Sequence, residues 1–301
     1  MSRAKTLTCG SKTLDLSRPA VMGILNVTPD SFSDGGQLYA GEQIDLDKTL
    51  QSVESMLEQG ADIIDIGGES TRPGASPVSV QQELDRVLPA VQAVNSRFDT
   101  LISVDTSTAE VIAEASHAGA NLINDVRALQ RPGALEAAAV SGLPVCLMHM
   151  QNQPDTMQAN PSYIDVVSEV LEFLQQRKQV CVDAGISSDQ ILLDPGFGFG
   201  KTLQHNLALN TALDRFVDTG HSLLLGVSRK SMIGQLINSN MDNRLVGSVI
   251  MALLMAQSVA ARQAQVNSHS GLILCVHDVL ETVQALTIWQ ATRAFKEEDN
   301  Q

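Results

Sequence analysis

"LLDPGFGFGKT", residues 192–202, runs from a short apolar segment through an acid into closely spaced glycines, a lysine and a threonine. This is how a β-strand passes into a helix in an α/β protein, and glycines followed by lysine suggest a phosphate loop. The spacing excludes the two common kinds. A nucleotide P-loop needs a glycine where Pro195 stands, counting back from Gly200-Lys201-Thr202. A dinucleotide fingerprint built on Gly196 and Gly198 needs a glycine where Lys201 stands. The loop is of another kind, and the informative residue is the acid at the strand end, Asp194.

The same pattern recurs along the chain. Apolar runs rich in Val, Ile and Leu occur at 21–27, 62–68, 101–106, 121–126, 144–150, 191–196, 222–228 and 272–279. Longer stretches with helical spacing separate them, clearest at 42–59, 79–97, 161–184, 242–264 and 279–295. Strand runs this apolar suit a parallel sheet covered on both faces by helices. Eight βα units in 301 residues predict a (β/α)8 TIM barrel, a fold that typically takes about 250 residues. An open doubly wound sheet is the alternative fold. "LTCGSKTLDL" (7–16) alternates like a short β-hairpin under the barrel, and residues 296–301 read as a polar tail. With no linker or low-complexity stretch, the expectation is one domain over 1–301 with its core at about 16–295.

Composition narrows the function classes. With 20 Lys plus Arg against 34 Asp plus Glu, the net charge of -14 argues against a nucleic-acid or anionic-membrane surface. An anionic ligand therefore has to meet local cations or a metal. The chain reads as cytoplasmic, since neither a secretory leader nor an apolar run of about 18 residues stands out. The 4 cysteines are widely spaced and read as reduced, mostly structural thiols.

In a TIM barrel the site is built at the carboxyl ends of the strands. Here those ends carry Asn26, Asp65 with Glu69, Asp105, Asn124 with Asp125, His149, Asp194, Ser228-Arg229-Lys230 and His277-Asp278. A single Asp or Asn at such a place is ordinarily a cap or turn former. So many converging on one mouth point to a ligand. Asp105, Asn124 and Asp194 offer acceptors and Lys230 a donor, a set that suits an amino-pyrimidinone edge. Arg72 and His277 form a separate anion end. The loops 26–36 and 67–76 are long for βα turns and read as lids that exclude water.

Taken together, "MGILNVTPDSFSDGG", "DIIDIGGESTRPGASPVS", "ISVDTS", "LINDVRAL", "CLMHMQ", "LLDPGFGFGKT", "GVSRKSMIGQL" and "VHDV" resemble the dihydropteroate synthase family of folate biosynthesis, from about residue 16 to 285. The resemblance implies a transferase joining 6-hydroxymethyl-7,8-dihydropterin diphosphate to 4-aminobenzoate, with sulfonamides as inhibitors and a homodimer as the assembly. It implies Mg2+ on Asn26 beside the diphosphate. Thr71, Arg72 and His277 would hold substrate oxygens, and Asp105, Asn124, Asp194 and Lys230 would bind the pterin. Pro73, Phe197, Lys230 and Ser231 would surround the aminobenzoate, with its carboxylate at the helix start that Ser231 opens, and Phe199 is a further substrate-binding residue. Arg72, Asp105 and Lys230 carry the catalytic expectation.

Two departures stand out. The family usually has arginine where this chain has Cys275, in "CVHDV", and thiol replaces neither the charge nor the planar surface of a guanidinium. The segment before that strand, "SVAARQAQVNSHSG", is roughly a dozen residues longer than the family's. Arg262, Arg229 or another cation could compensate; the alternative is a catalytically impaired pterin-binding relative. Two other readings remain open: a Schiff-base aldolase acting through Lys230, and a methyltetrahydrofolate-binding methyltransferase domain with a cobalamin partner.

Overall fold

A computed structural model of the chain describes residues 5–28, 39–40, 43–71, 77–154, 156–240 and 243–298. An antiparallel hairpin of β1 (Thr6–Cys9) and β2 (Lys12–Asp15) is followed by β3 (Ala20–Asn26) and a short pair, β4 (Tyr39–Ala40) with β5 (Gln43–Ile44). Strand and helix then alternate: α1 (Leu46–Glu58), β6 (Ile63–Gly67), α2 (Val80–Arg97), β7 (Leu101–Asp105), α3 (Ala109–Ala118), β8 (Leu122–Asp125), α4 (Ala134–Ser141) and β9 (Val145–Met148). The second half runs α5 (Val166–Asp183), β10 (Ile191–Asp194), α6 (Leu203–Thr211), α7 (Leu213–Val217), β11 (Ser222–Gly226), α8 (Ser231–Ile237), α9 (Leu245–Val266), β12 (Leu272–Val276) and α10 (Val279–Glu298).

The eight parallel strands close in the order β10-β11-β12-β3-β6-β7-β8-β9. Closure removes the open doubly wound sheet as an alternative. Capping sets several helix starts where polar residues precede apolar periodicity. Ser79 and Gln82 form a reciprocal capping box on α2, and Asp165 accepts from Val167 and Ser168 N–H at the start of α5. Loss of such a cap typically costs about 1 kcal/mol. The helix expected from residue 161 therefore begins at Val166.

Strand periodicity builds both the core and the site. Successive side chains point to opposite faces of a strand. Met22, Ile63, Leu122, Cys146, Leu192, Leu224 and Ile273 pack together inside the barrel. Their neighbours Val21, Ile64, Ile123, Leu147, Leu193, Leu223 and Leu274 pack outward under the helices. The inner cluster is closed from below by Leu7, Cys9, Leu14 and Leu16, so the hairpin plugs the bottom as expected. Two residues further along, the inward positions become Asp65, Asn124, Asp194, Gly226 and Cys275, which face the cavity at the carboxyl end. The interior thus turns polar at Asp65, Asn124 and Asp194 within one pleat repeat, while Ile24 and Met148 at the same level stay apolar.

By length and apolar composition alone, α9 could cross a membrane. It lies against the barrel instead, burying Met251, Ala252, Met255, Ala256 and Val259, while Val246, Ile250 and Leu254 are exposed on another face.

Candidate functional site

A cavity of about 750 Å³ opens at the carboxyl ends of the strands. Of the residues singled out from sequence, it brings together Asn26, Thr71, Asp105, Asn124, Asp194, Phe199, Lys230, Ser231 and His277. Arg72 and Pro73 lie outside the described residues, as does most of the 26–36 loop.

The floor is a set of acceptors. Asn124 Nδ2 donates to Asp65 Oδ2 at 3.1 Å, which turns its amide oxygen free for a ligand. Asp65 Oδ1 is buried and has no partner among the described residues. Burial followed by repulsion from Asp65 holds the Asp105 carboxyl well above the usual range. Burial also raises Asp65. Two adjacent carboxylates cannot both ionise cheaply in so dry a place. The floor therefore favours a ligand that presents N–H groups or positive charge.

Asp194 is positioned by its own turn. Gly196 N–H donates to Asp194 Oδ1 at 2.7 Å, a bond possible because Gly196 sits at φ +70°, the left-handed region that favours glycine. A Cβ there would lie 1.9 Å from the His149 carbonyl oxygen. The glycines of "LLDPGFGFGKT" thus let the turn dock on the end of β9. Burial pushes the Asp194 carboxyl up to about 6, against the opposing pull of Lys230.

Lys230 reaches across the cavity from the N-cap of α8. Its Nζ donates to the Phe197 carbonyl and sits 4.5 Å over the Phe199 ring. Burial lowers its pKa, with Asp194 acting to restore it. Phe197 itself is fully buried in the core outside the barrel, which corrects the expectation that it surrounds the aminobenzoate. The turn alternates its two phenylalanines, one into the core and Phe199 into the cavity.

Alternation also removes Asp125 from the mouth. As neighbour of the inward Asn124 it points outward, where it accepts from Ser107 Oγ and from the N–H groups of Arg127 (2.7 Å) and Leu129 (2.9 Å). Arg127 in turn grips Glu69 with two nitrogens, at 3.0 and 2.9 Å, and Arg131 adds a third contact at 3.0 Å. These residues of "LINDVRAL" hold the start of the "GGESTRPGAS" loop, so that Thr71 faces the cavity. His149 is likewise removed from the ligand: it is buried, and a Lys201 amine 3.0 Å from its Nδ1 keeps company with an imidazole pushed down to about 3 by burial.

At the anion end, His277 Nδ1 lies 3.1 Å from Ser228 Oγ, and Arg229 forms a two-point pair with Asp278 while lining the cavity. Arg262 is spent on Asp218 at the surface, 2.7 Å away, and does not line this cavity. Arg244 does line it, although nothing in its sequence surroundings distinguished it. Its Nη1 donates to the Arg229 carbonyl at 3.0 Å, and its buried Nε has no partner among the described residues. Cys275 stands in the wall with Sγ 3.9 Å from Asp65 Oδ2. All four cysteines are free and buried.

Comparison with known proteins extends this match beyond the cavity. The chain is 54% identical over 286 residues to the dihydropteroate synthase of Haemophilus influenzae, covering 95% of this chain and 98% of the relative. Among solved structures, Yersinia pestis dihydropteroate synthase in complex with a sulfonamide drug superposes with a TM-score of 0.88 at 54% identity, covering 96% of this chain and 99% of the other. Xanthomonas albilineans dihydropteroate synthase in complex with 7,8-dihydropteroate superposes with a TM-score of 0.82 at 42% identity, covering 96% and 99%. The family profile described as pterin binding enzyme matches residues 22–267, from the first barrel strand through α9, and the chain belongs to that family.

Proposed function

We propose that the chain is a dihydropteroate synthase, condensing 6-hydroxymethyl-7,8-dihydropterin diphosphate with 4-aminobenzoate to 7,8-dihydropteroate and diphosphate. The observation that carries this reading is the floor: inward acceptors on Asp105, Asn124 and Asp194 faced by the Lys230 amine in one cavity. The N–H groups of a pterin's amino-pyrimidinone edge match the first three, and its carbonyl matches the fourth. The close relatives carry the same activity in their names.

The reaction breaks the bond between the pterin methylene carbon and the diphosphate oxygen, the electron pair leaving with diphosphate. The aminobenzoate nitrogen then forms the new C–N bond and releases a proton to solvent. The electron-rich dihydropterin shares the positive charge that develops on the methylene, and the Asp65 and Asp105 carboxyls supply a floor that tolerates it. Arg72, Thr71 and His277 hold the leaving oxygens, while Phe199, Pro73 and Ser231 seat the aminobenzoate. Exclusion of water from the cavity protects the cation. No strong general base is needed.

The residues present fit Mg2+. Asn26 Oδ1 and Asp105 Oδ2 both approach the same point above Gly67, at 3.8 and 3.6 Å, giving hard oxygen donors of the kind this ion takes alongside substrate phosphate. Asn26 would hold it, and the ion would supply neutralisation of diphosphate charge.

The proposal includes a homodimer formed through the exposed Val246-Ile250-Leu254 face of α9, a cytoplasmic location, and one catalytic unit over about 16–295. Light scattering of the purified protein tests the dimer. The activity is tested by diphosphate release with dihydropterin diphosphate, Mg2+ and 4-aminobenzoate. Release that depends on 4-aminobenzoate supports the synthase; pterin binding without release would favour the impaired relative that Cys275 suggests.

A further inference from the structure

Lys201 ends the motif that resembles a phosphate loop, yet its side chain is buried and does not line the cavity. Its Nζ donates to the carbonyls of Gly196 and Phe199, each at 2.9 Å, and to the carbonyl of His149 at 3.2 Å, with His149 Nδ1 a further 3.0 Å away. An ammonium has three hydrogens for these four acceptors, so the neutral imidazole shares one of them. The contacts join both ends of the 196–200 turn to the end of β9. That turn makes two further contacts: Gly196 N–H holds Asp194 Oδ1, and the Phe197 carbonyl with the Phe199 ring holds the Lys230 amine.

We propose that Lys201 is a positioning residue: a buried ammonium strut that fixes, through the 196–200 turn, the separation and orientation of Asp194 and Lys230 at the pterin's edge. This rests on the pterin-binding reading above. The lysine touches neither substrate. It replaces what a wrapped phosphate does for a nucleotide loop, supplying from within the protein the charge on which the turn's carbonyls converge.

The strut also acts on Asp194 through space. Positive charge on Lys230 and, to a smaller extent, on Lys201 favours the ionised carboxylate against burial; burial lowers the pKa of both amines, and Asp194 pulls them back up. The groups facing Asp194 are these two lysines and the Cys146 and Cys275 thiols, both held protonated. Loss of the Lys201 charge therefore moves Asp194 protonation to higher pH, an effect that slack packing alone does not produce.

The test compares wild type with Lys201→Met and Lys201→Gln, using 6-hydroxymethylpterin diphosphate as the calorimetric probe and steady-state turnover across pH. Glutamine spans nearly the same distance and donates to two of the carbonyls, so it keeps the turn closed where methionine precipitates. The expected result is pterin affinity weakened by about tenfold or more, as small misplacements in a site can cause. KM for 4-aminobenzoate should change less, and the acid limb of kcat/KM for the pterin should move upward in pH. Folded variants with pterin affinity within about twofold of wild type and an unmoved acid limb would overturn the proposal. If wild type itself neither binds the probe nor turns over, the functional reading fails, and that outcome is distinct from a null effect at Lys201.

Discussion

Cys275→Arg introduces the guanidinium that the family resemblance leads one to expect at this position. The thiol lies 3.9 Å from Asp65 Oδ2, and Asp65 Oδ1 is buried without a partner among the described residues. On the other side, the Cys275 Cβ and Lys230 Nζ lie 3.7 and 3.9 Å from a common point above Gly226. An arginine here gains two carboxylates, Asp65 and Asp105, and meets one amine. Only one of the two carboxyls ionises readily, so at about 4 Å and an effective dielectric near 20 one attraction and one repulsion of about 4 kcal/mol each roughly cancel, and the guanidinium gains further by drawing the second carboxyl into its ionised form. The variant should therefore fold. Extending into the cavity, the guanidinium adds a charge-assisted hydrogen bond to a diphosphate oxygen, worth about 1.5–3 kcal/mol. That converts to about 10- to 150-fold in affinity. Calorimetry should show pterin diphosphate binding tightened by that factor while the unphosphorylated hydroxymethylpterin is nearly unchanged. Equal tightening of both ligands, or of neither, would refute the argument and show that Arg229 or Arg244 already occupies the diphosphate.

Asp194→Asn keeps the bond from Gly196 N–H but turns an amide donor toward the ligand's own donors; pterin affinity should fall by about 100-fold or more with an unchanged circular dichroism spectrum. Because the Asp194 carboxyl is raised to about 6 and must be ionised to accept, kcat/KM for the pterin should decline as pH falls through that value, and a flat profile from neutrality to pH 5 would remove Asp194 from the site. Arg127→Met leaves Glu69 buried with only Arg131, so urea unfolding should show a loss of about 3 kcal/mol, and a loss below about 1 would mean that the pair is dispensable. His149 has a folded pKa near 3, below its unfolded value of 6.5, so its contribution is present above 6.5 and is lost as pH falls below it. Between pH 7 and 5 that loss is about 2 kcal/mol, and His149→Gln should lose that much less than wild type over the same interval.

The barrel was legible because each strand announces itself by apolar content, and the floor was legible because one pleat repeat separates Leu192 from Asp194 and Ile63 from Asp65. Alternation cannot choose between neighbours, however. Asn124 and Asp125 are equally polar and sit at the same strand end; only the register of the closed barrel turns the first inward and commits the second to holding Arg127. The same limit applies to Phe197 and Phe199, whose opposite fates depend on the left-handed glycines between and around them. Arg244 was illegible for a different reason: it reaches the cavity by lying across Gly234 of α8, where a Cβ would meet its Nε at 2.6 Å, and that crossing belongs to the packing of α8 against α9. The spacing around Lys201 excludes a nucleotide loop but does not show where its ammonium goes. A lysine after glycines gathers whatever acceptors the turn presents. In a nucleotide loop the backbone offers N–H groups, and phosphate is what both they and the lysine want. Here the turn presents the Gly196 and Phe199 carbonyls instead, so the ammonium is satisfied by the chain itself.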